Sequence, residues 1–212
     1  MYNFPQYIEK DQEKVIAFMR AHPFVTLIAV DKSGRTEATQ IPVLMEEREG
    51  KVFLQGHVAR KTEHHIALTE NPEALFIFTS PHTYVSATWY TGNPYQGSTW
   101  NYVSVHARGK INWLNEDGLI QLLRKLSLHF ENYNKDASTV YDNLPDDYKL
   151  KLLKAIEAFE VEITELDNVF KLSQNRDEAS YDNIVKKLKE QGGAGSVIGE
   201  WMEERKSNVF DK

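Results

Sequence analysis

The chain has 212 residues, of which 41% are hydrophobic and 26% are charged, and its formal net charge is −6. These values are ordinary for a globular protein and exclude disordered and collagen-like chains. The acidic balance disfavours a protein that grips nucleic acid through a basic face, because neutralised phosphates supply most of that affinity. The lack of cysteine excludes disulfide scaffolds, thiolate metal sites and cysteine nucleophiles.

The first half of the sequence is predicted to be mainly β. A short amphipathic helix is expected over 8–20, and a second helix over 59–69 interrupts a series of β-branched or alternating runs. An aromatic loop, 89–99, separates the last two of these runs. The six predicted strands are 24–30, 38–45, 51–56, 74–79, 83–88 and 101–114.

The second half is predicted to be mainly helical. Helices are expected over 115–131, 145–154 and 177–191, with Leu119, Leu122, Leu123 and Leu126 as core residues of the first. The alternation of apolar and charged residues over 159–166 predicts a late strand that returns to the sheet.

Six or seven antiparallel strands with one interrupting helix indicate a small barrel with helices packed outside it. We predict one domain over 1–191, with a barrel core at about 24–114 and a late strand at about 159–166. A flexible hinge at 192–195 and a helical tail complete the chain over 192–212. No stretch approaches the ~20 apolar residues needed to span a bilayer. The N-terminus lacks the pattern of a signal peptide, so we predict a cytoplasmic protein.

The segment 56–62 (GHVARKT) is the most informative one for function. It follows a predicted strand and opens a predicted helix, where free backbone N–H groups and the helix dipole favour an anion. Arg60 and Lys61 add two positive charges, and Arg binds phosphate in bidentate fashion. The alternative is a solvated basic turn, although cations are unfavourable at this end of a helix. The residues alone do not identify the anion.

Two resemblances follow from these and other segments. The series VTLIAV, ATQIPVLM, KVFLQG, ARKTEHH and YVSVHARG resembles the FMN-binding split β-barrels related to pyridoxamine-phosphate oxidase. The longer segments GHVARKTEHH, FTSPHTYVSATWY and LDNVFKLSQNRDEASYDNI resemble the PaiB family, negative regulators of protease synthase and sporulation described as FMN-binding. The resemblance implies a split barrel with a C-terminal helical extension, FMN as cofactor, and a homodimer with flavin sites at its interface.

The resemblance also implies a set of flavin-binding residues. Arg60 and Lys61 would contact the phosphate, and Ser104 takes the place of a polar residue that reaches the flavin from the partner subunit. Thr39 stands where the oxidases often have an Arg, so one phosphate contact is missing. The complete implied set is Arg60, Lys61, Thr39, Gln40, Ile41, His57 and Ser104.

The histidines and the cofactor leave alternatives open. His57, His64 and His65 are close in sequence, but no metal-binding spacing appears, and no metal site is predicted. Some relatives of the split barrels bind haem, so haem is the alternative cofactor. The turn 173–176 precedes the last predicted helix and is an N-cap turn that is also a candidate to reach the active site.

Three functions compete. The resemblance favours an FMN-binding negative transcriptional regulator of protease synthesis and sporulation. The alternatives are a flavin-dependent oxidoreductase with an indirect regulatory effect and a haem-binding split barrel. No helix-turn-helix pattern or basic stripe supports direct reading of DNA. No catalytic residue is named, because flavin chemistry resides in the cofactor.

Overall fold

A computed structural model of the protein describes residues 1, 4–93 and 95–210, and this part of the chain contains six α-helices and nine β-strands. The chain forms two compact units. We call the first the sheet unit, which comprises Met19–Phe78 and His106–Leu166. We call the second the hairpin unit, which comprises Met1–Phe18, Thr79–Val105 and Asp167–Lys212.

The sheet unit is built on antiparallel strands in the order β2-β1-β5-β7-β9-β4-β3, with β8 paired to β9. In the hairpin unit the short strand β6 pairs with the first residues of β7. The strands are β1 (Phe24–Val30), β2 (Thr36–Pro42), β3 (Leu44–Arg48), β4 (Lys51–Ala59), β5 (Glu73–Thr79), β6 (Thr83–Val85), β7 (Thr99–Lys110), β8 (Asn112–Trp113) and β9 (Ile156–Lys171).

Nine strands form where the sequence predicted six and a late seventh, because two of the predicted strands are interrupted. The break between β2 and β3 lies at Val43, whose N–H donates to the carbonyl of Pro23 at 2.9 Å. The break between β7 and β8 lies at Ile111, whose N–H donates to the carbonyl of Pro72 at 2.8 Å. Both residues are buried and apolar, so the hydrophobic pattern continues through each break.

Three helices lie in the sheet unit, and the apolar face predicted for the second of them is buried. They are α2 (Glu63–Glu70), α3 (Glu116–Phe130) and α4 (Asp146–Ala155). Thr62 and Asn115 cap α2 and α3 by accepting hydrogen bonds from backbone N–H groups in the first turn. The four leucines predicted as core residues of α3 are all buried, in a cluster with Tyr141, Ile156 and Ala158.

The hairpin unit contains α5 (Glu178–Gln191) and α6 (Gly193–Phe210), and α1 (Gln12–Ala21) begins in it. The sequence predicted a flexible hinge at 192–195 before a helical tail; the tail is helical, but the helix already begins at Gly193 and is packed against α5. Tyr181 on α5 donates its hydroxyl proton to the carbonyl of Met202 at 2.7 Å, and both residues are buried. A Cβ at Gly195 would lie 2.8 Å from the carbonyl of Leu188, so the glycine allows close packing instead of mobility.

Within the ranges that the structure describes, no helix is both long enough and apolar enough to cross a membrane.

Candidate functional site

The basic turn predicted from the sequence lies in the sheet unit, between the end of β4 and the start of α2. Arg60 and Lys61 occupy the turn, and Lys61 adopts a left-handed conformation with φ +64°. The Thr62 hydroxyl donates to the carbonyl of Ala59 at 2.9 Å and accepts from the N–H of His65 at 3.2 Å. The turn is therefore fixed to both the strand and the helix.

The Arg60 side chain is held in place by β9. Its NH1 lies 2.7 Å from an oxygen of Glu157, and its Nε donates to the carbonyl of Ile156 at 2.9 Å. The same Glu157 oxygen lies 2.6 Å from Nε2 of His65 on α2. A guanidinium has five N–H donors, so donors remain for an anion. Glu157 thus acts as a positioning residue, and the sequence did not predict it.

Lys61 is exposed, and no carboxylate in the described part of the chain lies within ion-pair distance of its ammonium group. The first backbone N–H groups of a helix have no intrahelical acceptor, and the helix dipole places partial positive charge there. A guanidinium, an ammonium and a helix start together form a donor set suited to a doubly charged phosphate. This set fits the phosphate end of FMN.

The three predicted residues of β2 are divided between its two faces. Thr39 and Ile41 pair with the buried residues Leu27 and Val25 of β1, on the inner face of the strand pair. Gln40 is exposed on the opposite, outer face. A flavin that contacts all three residues must therefore lie at the edge of β2 or reach around it.

His57 lies on the α3 side of β4. It is paired with Ala158, whereas its neighbour Val58 is paired with Glu157, so strand alternation separates His57 from the carboxylate that holds Arg60. His57 lines a cavity of about 670 Å³ whose other walls include Leu123, Leu126, Phe130 and Tyr141. Burial lowers the pKa of its imidazole.

Ser104, the remaining member of the predicted set, is buried in β7 and belongs to the hairpin unit. The structure therefore assigns Arg60, Lys61, the β2 residues and His57 to one unit and Ser104 to the other. In the described ranges no group of three or more His, Asp or Glu residues is placed to hold a metal ion.

The sequence did not predict that a second histidine of the sheet unit, His64, is buried. His64 on α2 is only 7% exposed, and neither of its ring nitrogens has a hydrogen-bond partner among the described residues. Burial lowers the pKa of the His64 imidazole, and the charge of Glu37 on β2 opposes that shift. Burial therefore favours the neutral form of the His64 imidazole, which lies three residues after Lys61.

Acidification is expected to destabilise the protein through His57 and His64. Their folded pKa values are lowered, so the unfolded chain binds more protons below its own histidine pKa of about 6.5. Stability should therefore fall as the pH drops below about 6.5. Melting temperatures measured across this range should show a smaller pH dependence in His64→Leu. The matched control is His129→Leu, at an exposed position on α3; equal slopes in the wild type and His64→Leu would contradict the assignment.

An antiparallel sheet with packed helices, and a basic turn between a strand and a helix start, define a split-barrel protein of the flavin-binding class. Residues 1–165 match the family described as "Putative FMN-binding domain". The chain belongs to this family, and FMN is the cofactor that the family implies and that the basic turn fits.

The chain is also similar to a bacterial protein sequence and to solved structures. Protease synthase and sporulation protein PAI 2 of Bacillus subtilis is 28% identical over 205 residues, covering 95% of this chain and 96% of that protein. The FAD and heme binding protein from Mycobacterium smegmatis has 19% identity and a TM-score of 0.56, over 77% of this chain and 72% of its own. The flavocytochrome Anf3 from Azotobacter vinelandii has 17% identity and a TM-score of 0.53, over 86% and 78%.

These similarities confirm the predicted split β-barrel with C-terminal helices and the resemblance to the regulators of protease synthase and sporulation. When bound, FMN supplies the redox chemistry, and the residues of the protein bind and orient it.

Proposed function

We propose that the protein is a homodimeric, FMN-binding negative transcriptional regulator of protease synthesis and sporulation that acts in the cytoplasm. The observation that carries the proposal is the Arg60–Lys61 turn, in a chain that resembles PAI 2 of Bacillus subtilis over 95% of its length. The turn supports the cofactor, and the resemblance supports the regulatory role.

In this proposal the flavin phosphate binds to Arg60 and Lys61, and the ribityl chain and ring follow β2. Thr39, Gln40 and Ile41 line that path. Because Gln40 projects from the outer face of β2, contact with it requires the flavin to reach the surface on which a second subunit would sit. His57 is proposed as a neighbour of the flavin from the α3 side of β4, and Ser104 as a contact supplied by the partner.

The outer face of β1, β2 and β5 supports the same arrangement. Phe24 is 64% exposed there, and Ile28 and Leu75 pair with each other on that face and are only partly buried. Exposed aromatic and aliphatic side chains on one sheet face are typical of a subunit interface. The proposed occupant of this face is a second copy of the chain.

Phe24→Glu is expected to convert the dimer to a monomer and to weaken FMN binding by about tenfold or more, because burying an unpaired charge at an interface is strongly unfavourable. Sedimentation equilibrium measures the mass, and flavin fluorescence measures the affinity. Leu150→Glu is the matched control, because Leu150 is 60% exposed on α4. A Phe24→Glu dimer of unchanged mass and affinity would refute the interface.

The cofactor is tested by the visible spectrum of the purified protein with added FMN or haem. The two bands of bound oxidised flavin are expected, and a Soret band would instead favour the haem alternative.

The regulatory role is tested by deleting the gene and measuring secreted protease activity and spore yield. Deletion should raise both, and restoring the wild-type gene should lower them again; unchanged values after deletion would refute the role.

A gel shift at several salt concentrations tests whether the protein binds DNA directly. Electrostatic binding to DNA must weaken as salt rises. A salt-dependent shift would support direct reading of an operator. Regulation in the cell without any shift would favour the indirect route of a flavin-dependent oxidoreductase.

A further inference from the structure

Two cationic side chains of the hairpin unit flank a tight turn, and the charge of one acts on the other. Lys171 is the last residue of β9, and its ammonium group donates to the hydroxyl of Thr99. Arg176 precedes α5, and its guanidinium carbon lies 4.1 Å from the ring centroid of Tyr90. Its NH1 donates to the side-chain oxygen of Gln96.

This pair of cations lacks a compensating carboxylate. In the described part of the hairpin unit no Asp or Glu lies within ion-pair distance of Lys171 or Arg176. The contrast within the same unit is Arg205, which is 17% exposed and forms an ion pair with Glu9. A partly buried cation is normally neutralised in this way, because desolvation makes an unpaired charge costly.

The electrostatics of the pair favour binding of an anion. Burial lowers the pKa of the Lys171 ammonium group, and the charge of Arg176 lowers it further. The Nε of Arg176 is buried and has no acceptor among the described residues. Two partly buried like charges that repel each other, with one N–H donor that has no acceptor, favour a bound negative group.

The turn between the two cations is rigid. Ser173 adopts a left-handed conformation with φ +62°, and its hydroxyl donates to the side-chain oxygen of the buried Asn101 at 3.0 Å. The side chain of Gln174 accepts from the N–H of Leu172 at 2.7 Å, and the N–H of Arg176 donates to the carbonyl of Ser173 at 3.0 Å. The separation of the two cations is therefore fixed before any ligand binds, which lowers the cost of binding.

We propose that Lys171 and Arg176 form a binding site for the carboxylate or phosphate group of a small anionic molecule, with the hydroxyl of Thr99 as an additional polar contact. The site belongs to the hairpin unit and does not depend on the FMN site at the basic turn. A planar guanidinium and an ammonium group suit either anion, because Arg binds both in bidentate fashion. The Tyr90 ring holds the guanidinium plane by a cation–π contact.

The test measures how fast an amine-selective acylating reagent modifies Lys171, by peptide mass spectrometry of the full-length protein saturated with FMN. Inorganic phosphate and acetate are the probes, each titrated at constant ionic strength with sodium chloride. Saturable protection of Lys171 by at least one of them is expected, and the stronger probe distinguishes a phosphate site from a carboxylate site. Absence of protection by both would overturn the proposal.

Variants separate a specific site from general screening. Arg176→Gln is expected to weaken the protection of Lys171 by about tenfold or more, because it removes one charge-assisted contact. Lys171→Gln keeps a donor for Thr99, and it should abolish the rise in melting temperature that the bound anion produces. Lys187→Gln is the matched control, since Lys187 forms an exposed ion pair with Glu190. If phosphate or acetate raised the melting temperature equally in all three variants, the site would be refuted.

A further experiment tests whether the anion site at Lys171 and Arg176 is independent of FMN. If FMN alone, without added phosphate, protected Lys171, the anion would be the phosphate of the flavin and the claim of an independent site would fail. Protection by phosphate that persists in Arg60→Ala/Lys61→Asn, whether or not that variant binds FMN, would support the independent site.

Discussion

Replacing Arg60 with Ala and Lys61 with Asn is expected to weaken FMN binding by about a hundredfold or more while the fold is retained. Each side chain is proposed to make a charge-assisted hydrogen bond to the phosphate, and such bonds contribute roughly 1.5–3 kcal/mol each. Asn is chosen because Lys61 has φ +64°, a conformation that Asn adopts more readily than Ala. The charge is then removed without straining the turn.

Fluorescence titration with FMN measures the dissociation constant, and circular dichroism with thermal melting measures the fold. The control is Lys151→Gln/Lys154→Gln, which removes two positive charges from α4 in the same unit. That variant has the same net charge as the turn variant. Any effect of net charge alone on the affinity for a phosphate ligand should therefore be equal in the two variants. Equal FMN affinity in the two variants would exclude the turn as the phosphate site.

The turn itself was predictable because its signal is local. A strand, two cations and a helix start lie within 56–62, and both the capping residue and the exposed backbone follow from neighbouring positions. Glu157 was not predictable, since it is 97 positions from Arg60 in the sequence and reaches it only through the pairing of β4 with β9. The side of the sheet on which His57 lies was not predictable for the same reason. Strand alternation predicts that His57 and Val58 face opposite sides, but not which side carries Arg60.

The fold shows the same division between local and non-local information. The strand 24–30 was predicted with its observed bounds, because its buried residues alternate and turn residues bound it. The late strand was predicted over 159–166 but extends over Ile156–Lys171. Its second half contains Asp167 and Asn168, which interrupt the apolar pattern. The Asn168 side chain accepts from the N–H of Glu9 at 2.8 Å, a contact between distant segments that the sequence does not reveal.

The helical tail was predicted, but the glycine run before it was wrongly predicted to be a flexible hinge, because glycine serves two structural purposes. The run Gly192, Gly193 and Gly195 resembles a flexible linker when only composition is considered. Gly192 and Gly193 have positive φ and turn the chain, while Gly195 removes a side chain that would clash with α5. Ile198 and Met202 are then fully buried. Only the residues packed against a glycine show whether it makes the chain flexible or allows two elements to pack closely.

Gly109 is expected to be the least replaceable glycine of the sheet unit. A Cβ at this position on β7 would lie 2.3 Å from the carbonyl oxygen of Glu162 and 2.5 Å from a methyl group of Val161 on β9. The oxygen belongs to the backbone, so no change of rotamer relieves the clash, and two adjacent strands would have to separate. Gly109→Ala is expected to cost more than about 3 kcal/mol, the upper end of ordinary overpacking.

A graded series tests this argument. Gly97 has no atom within 4 Å of its Cβ position, so Gly97→Ala should change the free energy of unfolding by less than about 0.5 kcal/mol. Gly56 on β4 faces the ring of Phe159, with a Cβ distance of 2.8 Å to Cζ. Gly56→Ala should cost about 1–3 kcal/mol, because a side chain, unlike backbone, moves aside in part. Denaturant unfolding gives all three values.

The decisive comparison is rescue by a second substitution. Phe159→Leu shortens the side chain that Gly56→Ala would strike, so the double variant should be more stable than the sum of the two single effects predicts. Val161→Ala should not rescue Gly109→Ala, because the carbonyl of Glu162 remains. Because β4 leads directly into the Arg60–Lys61 turn, Gly56→Ala should also weaken FMN binding, and the Phe159→Leu partner should restore it. Rescue of Gly109→Ala, or no rescue of Gly56→Ala, would contradict the assigned clashes.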